Sequence, residues 1–144
     1  MASSGKIKLE VVTPARAVLD IKVDAVDLPG IEGQLGILPD HLPLLTGLDI
    51  GEMIVRGPEG ERRFFIDGGF AEVLGHKVTV LTEFCDGVDE IDIEHARQVK
   101  EQAEKDLTAL EERSKSEPVE EDALEHHRKM LKRANTRLLL GKKK

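Results

Sequence analysis

The chain has 144 residues, enough for one domain or for one small domain with an appendage. Its net charge of −7 argues against general nucleic-acid affinity, and with no Trp, no Tyr and only four Phe it lacks the stacking platforms of a single-strand binder. Cys85 is the single cysteine, no run reaches the ~18 apolar residues of a membrane span, and residues 1–10 lack a leader pattern, so we expect a reduced, cytosolic protein whose membrane association is indirect.

The part of the chain before Asp89 consists of short apolar segments separated by Gly and Pro, which indicates an antiparallel sandwich or barrel. Apolar residues nearly alternate with Asp and Lys in residues 18–27, as in a half-buried strand. The sequence GPEG at residues 57–60 predicts a hairpin turn, and Phe64–Val73 and Val78–Phe84 are the best later strands.

The segment Gly30–Leu48, GIEGQLGILPDHLPLLTGL, interrupts an apolar run with glycines and prolines. Pro39 and Pro43 would each remove a ladder hydrogen bond from a strand. We therefore expect a shaped loop between short strands here.

Helical periodicity begins after Asp89. Residues 91–113 contain no Gly or Pro, and Asp92 can cap a helix there. A break at residues 114–123 precedes a second predicted helix from about Glu121 to Leu140, so the two helices should form an antiparallel hairpin. The apolar stripe that joins the two helices is narrow and partly made of alanine. Such a hairpin gains little stability from its own packing, so we interpret the hairpin as a part of the protein that can move. The predicted apolar positions are Ile93, Ala96, Val99, Ala103, Leu107, Leu110, Leu124, Leu131, Ala134 and Leu138.

Every charged residue from His126 to Lys144 is basic. A solvated helix usually mixes its signs, so this stretch either is an ordinary solvated face or meets an acidic partner surface. The cations are Arg128, Lys129, Lys132, Arg133, Arg137, Lys142, Lys143 and Lys144.

Catalytic and metal-binding signatures are missing from the sequence. It contains no GxSxG, P-loop, HExxH or CxxC motif. His126 and His127 are adjacent, so on a helix they point about 100° apart and chelate one metal poorly. We therefore predict no catalytic residues, no metal site and no enzyme activity of the chain's own.

Three segments, VVTPARAVL, VDLPGIEGQLGILPDHLPLLTGLDIGE and IDGGFAEVLGHKVTVLTE, precede the predicted charged hairpin. In this order they resemble the epsilon subunit of the bacterial rotary ATP synthase. The resemblance implies a β-sandwich of about ten strands over residues 1–89 and a regulatory two-helix hairpin over residues 90–144.

The same resemblance implies a non-catalytic rotor subunit of the central stalk. Such a subunit binds gamma and the ring of c subunits, couples proton-driven rotation to ATP synthesis, and inhibits ATP hydrolysis when its helices reach the alpha and beta subunits. It would lie at the cytoplasmic face of the bacterial plasma membrane as part of the complex.

The resemblance also assigns residues to contacts with gamma and the c ring. They are Glu32, Gln34, His41 and Leu42. Gln34 stands where some family members have a Glu facing the c ring, so we do not expect a specific salt bridge there, although Gln34 is able to form a hydrogen bond. His41 could equally be a histidine with no specific role.

Two further assignments concern the hairpin. The inhibitory basic face would comprise Arg128, Lys129, Lys132, Arg133 and Arg137. Several family members bind regulatory ATP, which here would use Asp92, Arg133 and Arg137. His95 and Gln102 stand where that pattern has arginines, so ATP binding should be weak. The alternatives are a free ATP-sensing module and, for Asp92, a simple helix cap.

Overall fold

A computed structural model of the chain describes residues 5–142. These residues form two compact units, one ending at Val88 and the next beginning at Asp89. Within the described range, no helix is long and apolar enough to cross a membrane. The strands are β1 (Ile7–Val12), β2 (Ala17–Val23), β3 (Ala25–Gly30), β4 (Gly33–Ile37), β5 (Leu44–Gly57), β6 (Gly60–Leu74), β7 (Lys77–Leu81) and β8 (Cys85–Gly87). A 3₁₀ turn (Val88–Glu90) and the helices α1 (Ile93–Ser114) and α2 (Glu121–Gly141) follow.

The first unit is one hydrogen-bonded sheet in the order β2-β1-β7-β6-β5-β3-β4, with β8 paired to β6. The β1–β7 pair is parallel, and the other pairs are antiparallel. The sheet folds over, because β2 comes close to β5, and it encloses an apolar core. The largest side chains of that core include Ile7, Leu9, Leu28, Ile37, Met53 and Ile66. The predicted β-sandwich followed by two helices is confirmed.

Eight strands are found in the described residues where about ten were expected. The difference arises because β5 and β6 run without interruption for 14 and 15 residues. Residues 64–66 of β6 pair with β8, whereas residues 70–74 pair with β7. Between these stretches the chain bends at Gly68 and Gly69, whose φ values are 68° and 109°. One continuous strand therefore pairs with β8 before the bend and with β7 after it.

The segment Gly30–Leu48 is more regular than its composition suggested. Residues 33–37 form β4, which pairs with β3 across the two-residue turn at Ile31 and Glu32. The irregular loop is limited to residues 38–43, so the expected loop between strands is present but much shorter than the segment for which it was expected. Pro39 and Pro43 do lie outside the strands, as predicted. β4 ends the sheet order and needs hydrogen bonds on one side only, so it can be short and rich in glycine.

The hairpin turn at residues 57–60 and the first helix cap are confirmed. Gly57 pairs with Gly60, and Gly60 has φ 108°. Asp92 is the N-cap of α1, since its Oδ1 accepts a hydrogen bond from the backbone N–H of His95 at 3.0 Å.

The two helices form the predicted antiparallel hairpin. Ala96, Ala103 and Ala134 are buried at its seam, and the remaining predicted apolar positions are half-buried. A Cβ on Gly141 would lie 2.8 Å from Cγ1 of Ile93, so the end of α2 packs against the start of α1. Small residues at these positions let the helices approach closely.

Gly69 supplies the first testable prediction. A Cβ there would lie 1.9 Å from the carbonyl oxygen of Leu81, in a backbone conformation that L residues rarely adopt. We expect Gly69→Ala to lower the free energy of unfolding by more than ~3 kcal/mol, measured by urea denaturation. Gly75→Ala is the matched control, because φ is also positive (63°) but no atom lies within 4 Å; it should cost only about 1 kcal/mol. Equal losses would contradict this explanation.

The division at Asp89 supplies the second prediction. The sandwich core lies entirely between Ile7 and Cys85, so its apolar contacts do not require the helices. A chain ending at Asp89 should therefore unfold cooperatively in urea, followed by circular dichroism. A gradual, non-cooperative loss of β signal would show that the sandwich does not fold independently.

Candidate partner-binding surface

The surface of the sandwich carries many large apolar side chains. Leu42 is 79% exposed and Leu45 is 70% exposed. Scattered apolar residues are ordinary on protein surfaces, but a contiguous patch marks an interaction site. The exposed large apolar residues of the sandwich are Ile31, Leu38, Leu42, Leu45, Phe70, Leu74, Leu81 and Phe84.

Strand register brings three of these residues into one line, here called the apolar row: Ile31, Phe70 and Leu81. Phe70 lies directly opposite Gly47 on one side and Leu81 on the other. Ile31 covers Gly47, because its Cδ1 lies 3.1 Å from the position of a Cβ on that glycine. Residues paired across strands share a face, and Ala71 next to Phe70 points into the core. The row is therefore continuous across β5, β6 and β7 on the outer face.

Polar residues border the apolar row on the side where β7 pairs with β1. Thr79, two positions before Leu81 on β7, pairs with Glu10 on β1. Glu10 forms ion pairs with Lys8 and Lys77, each at 3.4 Å. Desolvation raises the pKa of the Glu10 carboxyl, but the hydrogen bonds and charges of the two lysines outweigh it and leave that pKa below its usual value. An apolar centre with a polar rim is typical of protein–protein interfaces.

A second charged region lies where β3, β5 and β6 run side by side. Arg56 contacts Asp27 at 2.7 Å and Glu61 at 3.2 Å. Arg63 contacts Glu61 at 2.7 Å and Glu52 at 3.1 Å. Asp27 holds the pKa of Arg56 above its usual value, and Glu52 does the same for Arg63. Because each guanidinium group already contacts two carboxylates within this region, it is less suited than the apolar row to bind a partner.

Of the four residues assigned to gamma and the c ring, Glu32, Gln34 and Leu42 are exposed and His41 is half-buried. Glu32 is in the β3–β4 turn, Gln34 is on β4, and His41 and Leu42 are in the loop at residues 38–43. The Nδ1–H of His41 donates to the carbonyl oxygen of Leu42 at 2.7 Å, and its backbone N–H donates to that of Leu38 at 3.2 Å. His41 thus shapes the loop, whichever partner the loop meets.

The apolar row was missed by the sequence reasoning. A signal was present in residues 70–74, where Phe70 and Leu74 are exposed while Ala71 and Val73 are buried. A strand with one solvated face should alternate apolar with polar residues. Apolar residues on both faces of this strand indicate that a second surface covers it.

The five cations assigned to the inhibitory face differ in exposure. Arg128, Lys129 and Lys132 are exposed, whereas Arg133 and Arg137 are half-buried. Arg128 forms an ion pair with Glu121 at 3.1 Å, and Lys132, Arg133 and Arg137 have further interactions within the chain. The cations of this face that are exposed to solvent are therefore Arg128, Lys129 and Lys132.

The residues assigned to regulatory ATP lie towards one end of the hairpin. Arg137 and Arg133 precede Gly141 by about one and two helical turns, and Gly141 contacts the start of α1 beside Asp92. The Asp92 carboxylate is engaged as a cap. At the substituted positions His95 is exposed, and Gln102 donates to Asp106 at 2.9 Å.

Metal binding finds no support in the described range. Residues 5–142 contain no group of three or more His, Cys, Asp and Glu side chains arranged to hold an ion. The rings of His126 and His127 lie 5.3 Å apart in an edge-on arrangement, rather than converging on one point.

Residues 6–85 match the family described as "ATP synthase, Delta/Epsilon chain, beta-sandwich domain". The ATP synthase epsilon chain of Nitratidesulfovibrio vulgaris (strain DP4) is 43% identical over 107 residues, which are 74% of this chain and 80% of that one. The epsilon chain of Carboxydothermus hydrogenoformans is 47% identical over 102 residues, covering 71% and 76%.

A solved structure shares the fold. It is the mitochondrial ATP synthase of Euglena gracilis, OSCP/F1/c-ring, in which one chain matches with TM-score 0.77 and 22% identity, covering 94% of this chain and 81% of that one. Family match, relatives and fold agree: the chain belongs to the family of ATP synthase epsilon chains, which are non-catalytic subunits of that enzyme.

Proposed function

We propose that this chain is a central-stalk subunit of a rotary ATP synthase, whose sandwich docks onto gamma and the c ring and couples rotation to ATP synthesis. The observation that carries this proposal is the apolar row with its polar rim on a sandwich of the epsilon family. A rotor subunit must transmit torque without slipping, and a broad apolar contact between folded surfaces resists such movement.

The apolar row is the face we assign to gamma. Four residues are assigned to the c ring: Glu32 in the β3–β4 turn, Gln34 on β4, and His41 and Leu42 in the loop at residues 38–43. Leu42 is the most exposed large apolar side chain in the described residues, as expected of a residue that a partner covers. The chain would then reach the cytoplasmic face of the membrane only through the complex.

The double variant Phe70→Ser with Leu81→Ser tests the docking face. Burial of a large apolar side chain contributes about 1.5–3 kcal/mol, so we expect the affinity for a complex of alpha, beta and gamma that lacks this chain to fall about 100-fold. Both side chains are exposed, so the melting temperature should change little. Leu139→Ser is the matched control, because Leu139 is also exposed but lies on α2. Unchanged affinity of the double variant would contradict the assignment.

For the hairpin we propose an inhibitory role in ATP hydrolysis through cations of α2. The exposed cations Arg128, Lys129 and Lys132 support it, because their charges can reach an acidic surface of the alpha and beta subunits. The Ala-rich seam also supports it, since it buries little area and separates at modest cost.

The triple variant Arg128→Gln, Lys129→Gln and Lys132→Gln tests this role. Half-inhibition of ATP hydrolysis by the complex should then require a concentration at least about tenfold higher, while assembly is retained. A control variant removes three exposed cations from α1 instead: Arg97→Gln, Lys105→Gln and Arg113→Gln. If the α1 variant loses inhibition and the α2 variant keeps it, the inhibitory surface is assigned to the wrong helix.

A second candidate function is ATP sensing by the hairpin. It is favoured by the antiparallel packing, which brings Arg133 and Arg137 towards the end of the hairpin that carries Asp92. The substitutions at His95 and Gln102 remove two cations, so the proposed ATP binding is weak.

Restoring the arginines tests this second function. The double variant His95→Arg with Gln102→Arg should bind ATP at least about tenfold more tightly than the natural chain in isothermal titration calorimetry, because charge-assisted bonds to phosphate are strong. The same substitutions in a chain that also carries Arg137→Gln are the control and should gain less. No gain in the double variant would contradict ATP binding at this end of the hairpin.

A further inference from the structure

A groove of about 540 Å³ opens on the sandwich beside the apolar row. Phe70 and Leu81 belong both to the row and to the wall of the groove, so the two features are continuous. The groove is lined by Val12, Thr13, Pro14, Asp67, Gly69, Phe70, Leu81, Thr82 and Glu83.

The charge of the groove has one sign. Two carboxyl side chains, Asp67 and Glu83, line it, and its lining contains no Lys, Arg or His. Asp67 is only 6% exposed, whereas Glu83 is exposed at the surface. Two carboxylates in a lining that contains no cation create a negative potential, which attracts a positively charged group. Charge complementarity therefore specifies a basic group as the occupant.

The backbone fixes the shape of the groove. Asp67 immediately precedes the bend in β6, and its backbone N–H donates to the carbonyl oxygen of Phe84 at 3.2 Å. The Leu81 carbonyl oxygen leaves no room for a side chain at Gly69. The groove is thus a built feature of the fold, present before any partner arrives.

We propose that this groove receives a lysine or arginine side chain from the protein onto which the sandwich docks. Its aliphatic stem lies against Phe70 and Leu81, and its cationic head pairs with Asp67 and Glu83. Long basic side chains combine an apolar stem with a charged head, which matches these walls. This inference rests on the proposed function, in which the docking protein is gamma, and it adds the chemistry of one anchoring contact.

The test uses the full-length chain and the complex of alpha, beta and gamma that lacks it. Affinity is measured at about 50 mM and about 300 mM salt for the natural chain and for the variants Asp67→Asn and Glu83→Gln. We expect a loss of about tenfold for Asp67→Asn and about threefold for Glu83→Gln, each with a weaker salt dependence. Glu59→Gln is the control, because Glu59 is exposed in the hairpin turn and does not line this groove.

A charge scan of gamma identifies the partner side chain. Among single Lys→Ala and Arg→Ala variants of gamma, one should lower the affinity for the natural chain. The same gamma variant should not lower the affinity for the Asp67→Asn chain any further. Melting temperatures of the variants show that the sandwich is intact. If Asp67→Asn fails to fold, the affinity of Glu83→Gln tests the proposal instead, because Glu83 is exposed and its substitution should not affect folding.

Three results would overturn the proposal. If both carboxyl variants bind like the natural chain while Phe70→Ser with Leu81→Ser does not, the apolar row docks without a basic anchor and the proposed function stands. If the natural chain does not bind the complex at all, the proposed function fails as well. If the natural chain instead self-associates in sedimentation and Asp67→Asn does not, the groove belongs to a contact between two copies.

Discussion

The sandwich depends on the bend in β6 at Gly68 and Gly69. β6 pairs with β5 along its length, with β8 before the bend and with β7 after it. Among the described residues, β1 and β2 join the hydrogen-bonded sheet through β7, and β7 pairs with residues 70–74 of β6. Gly69, whose backbone lies against the Leu81 carbonyl, therefore stands at the start of the ladder that joins these strands to the rest of the sheet.

The same bend produces the surface to which we assign function. Immediately after it, Phe70 points outward opposite Leu81, and immediately before it, Asp67 lines the groove. A residue with a side chain at position 69 would disturb the register of Phe70 and the shape of the groove together. Structural constraints and the proposed docking function thus fall on the same few residues.

Features that depend on residues close together in the sequence could be predicted from it, whereas features that depend on pairing between distant residues could not. The helices were predicted to within two residues at each end, because their periodicity and the Asp92 cap of α1 are local. The predicted range Ile91–Arg113 is observed as Ile93–Ser114, and the predicted range Glu121–Leu140 is observed as Glu121–Gly141. β4 was missed because glycine and proline indicate a loop locally, while the strand is held by pairing with β3. The apolar row was missed because it exists only through the pairing of Gly47, Phe70 and Leu81, which lie far apart in the chain. The motif in residues 30–48 did locate an exposed apolar segment, but not its geometry.

Hydroxyl-radical footprinting with mass spectrometry tests the central claim most directly, because it reports the exposure of individual side chains without mutation. The chain is oxidised alone and in complex with alpha, beta and gamma. We expect oxidation of Phe70 and Leu81 to fall strongly in the complex, because both change from exposed to covered, while residues of the charged region around Arg56 stay unchanged. Equal oxidation of Phe70 and Leu81 in both samples, with binding verified, would contradict the assignment of this face to the central stalk.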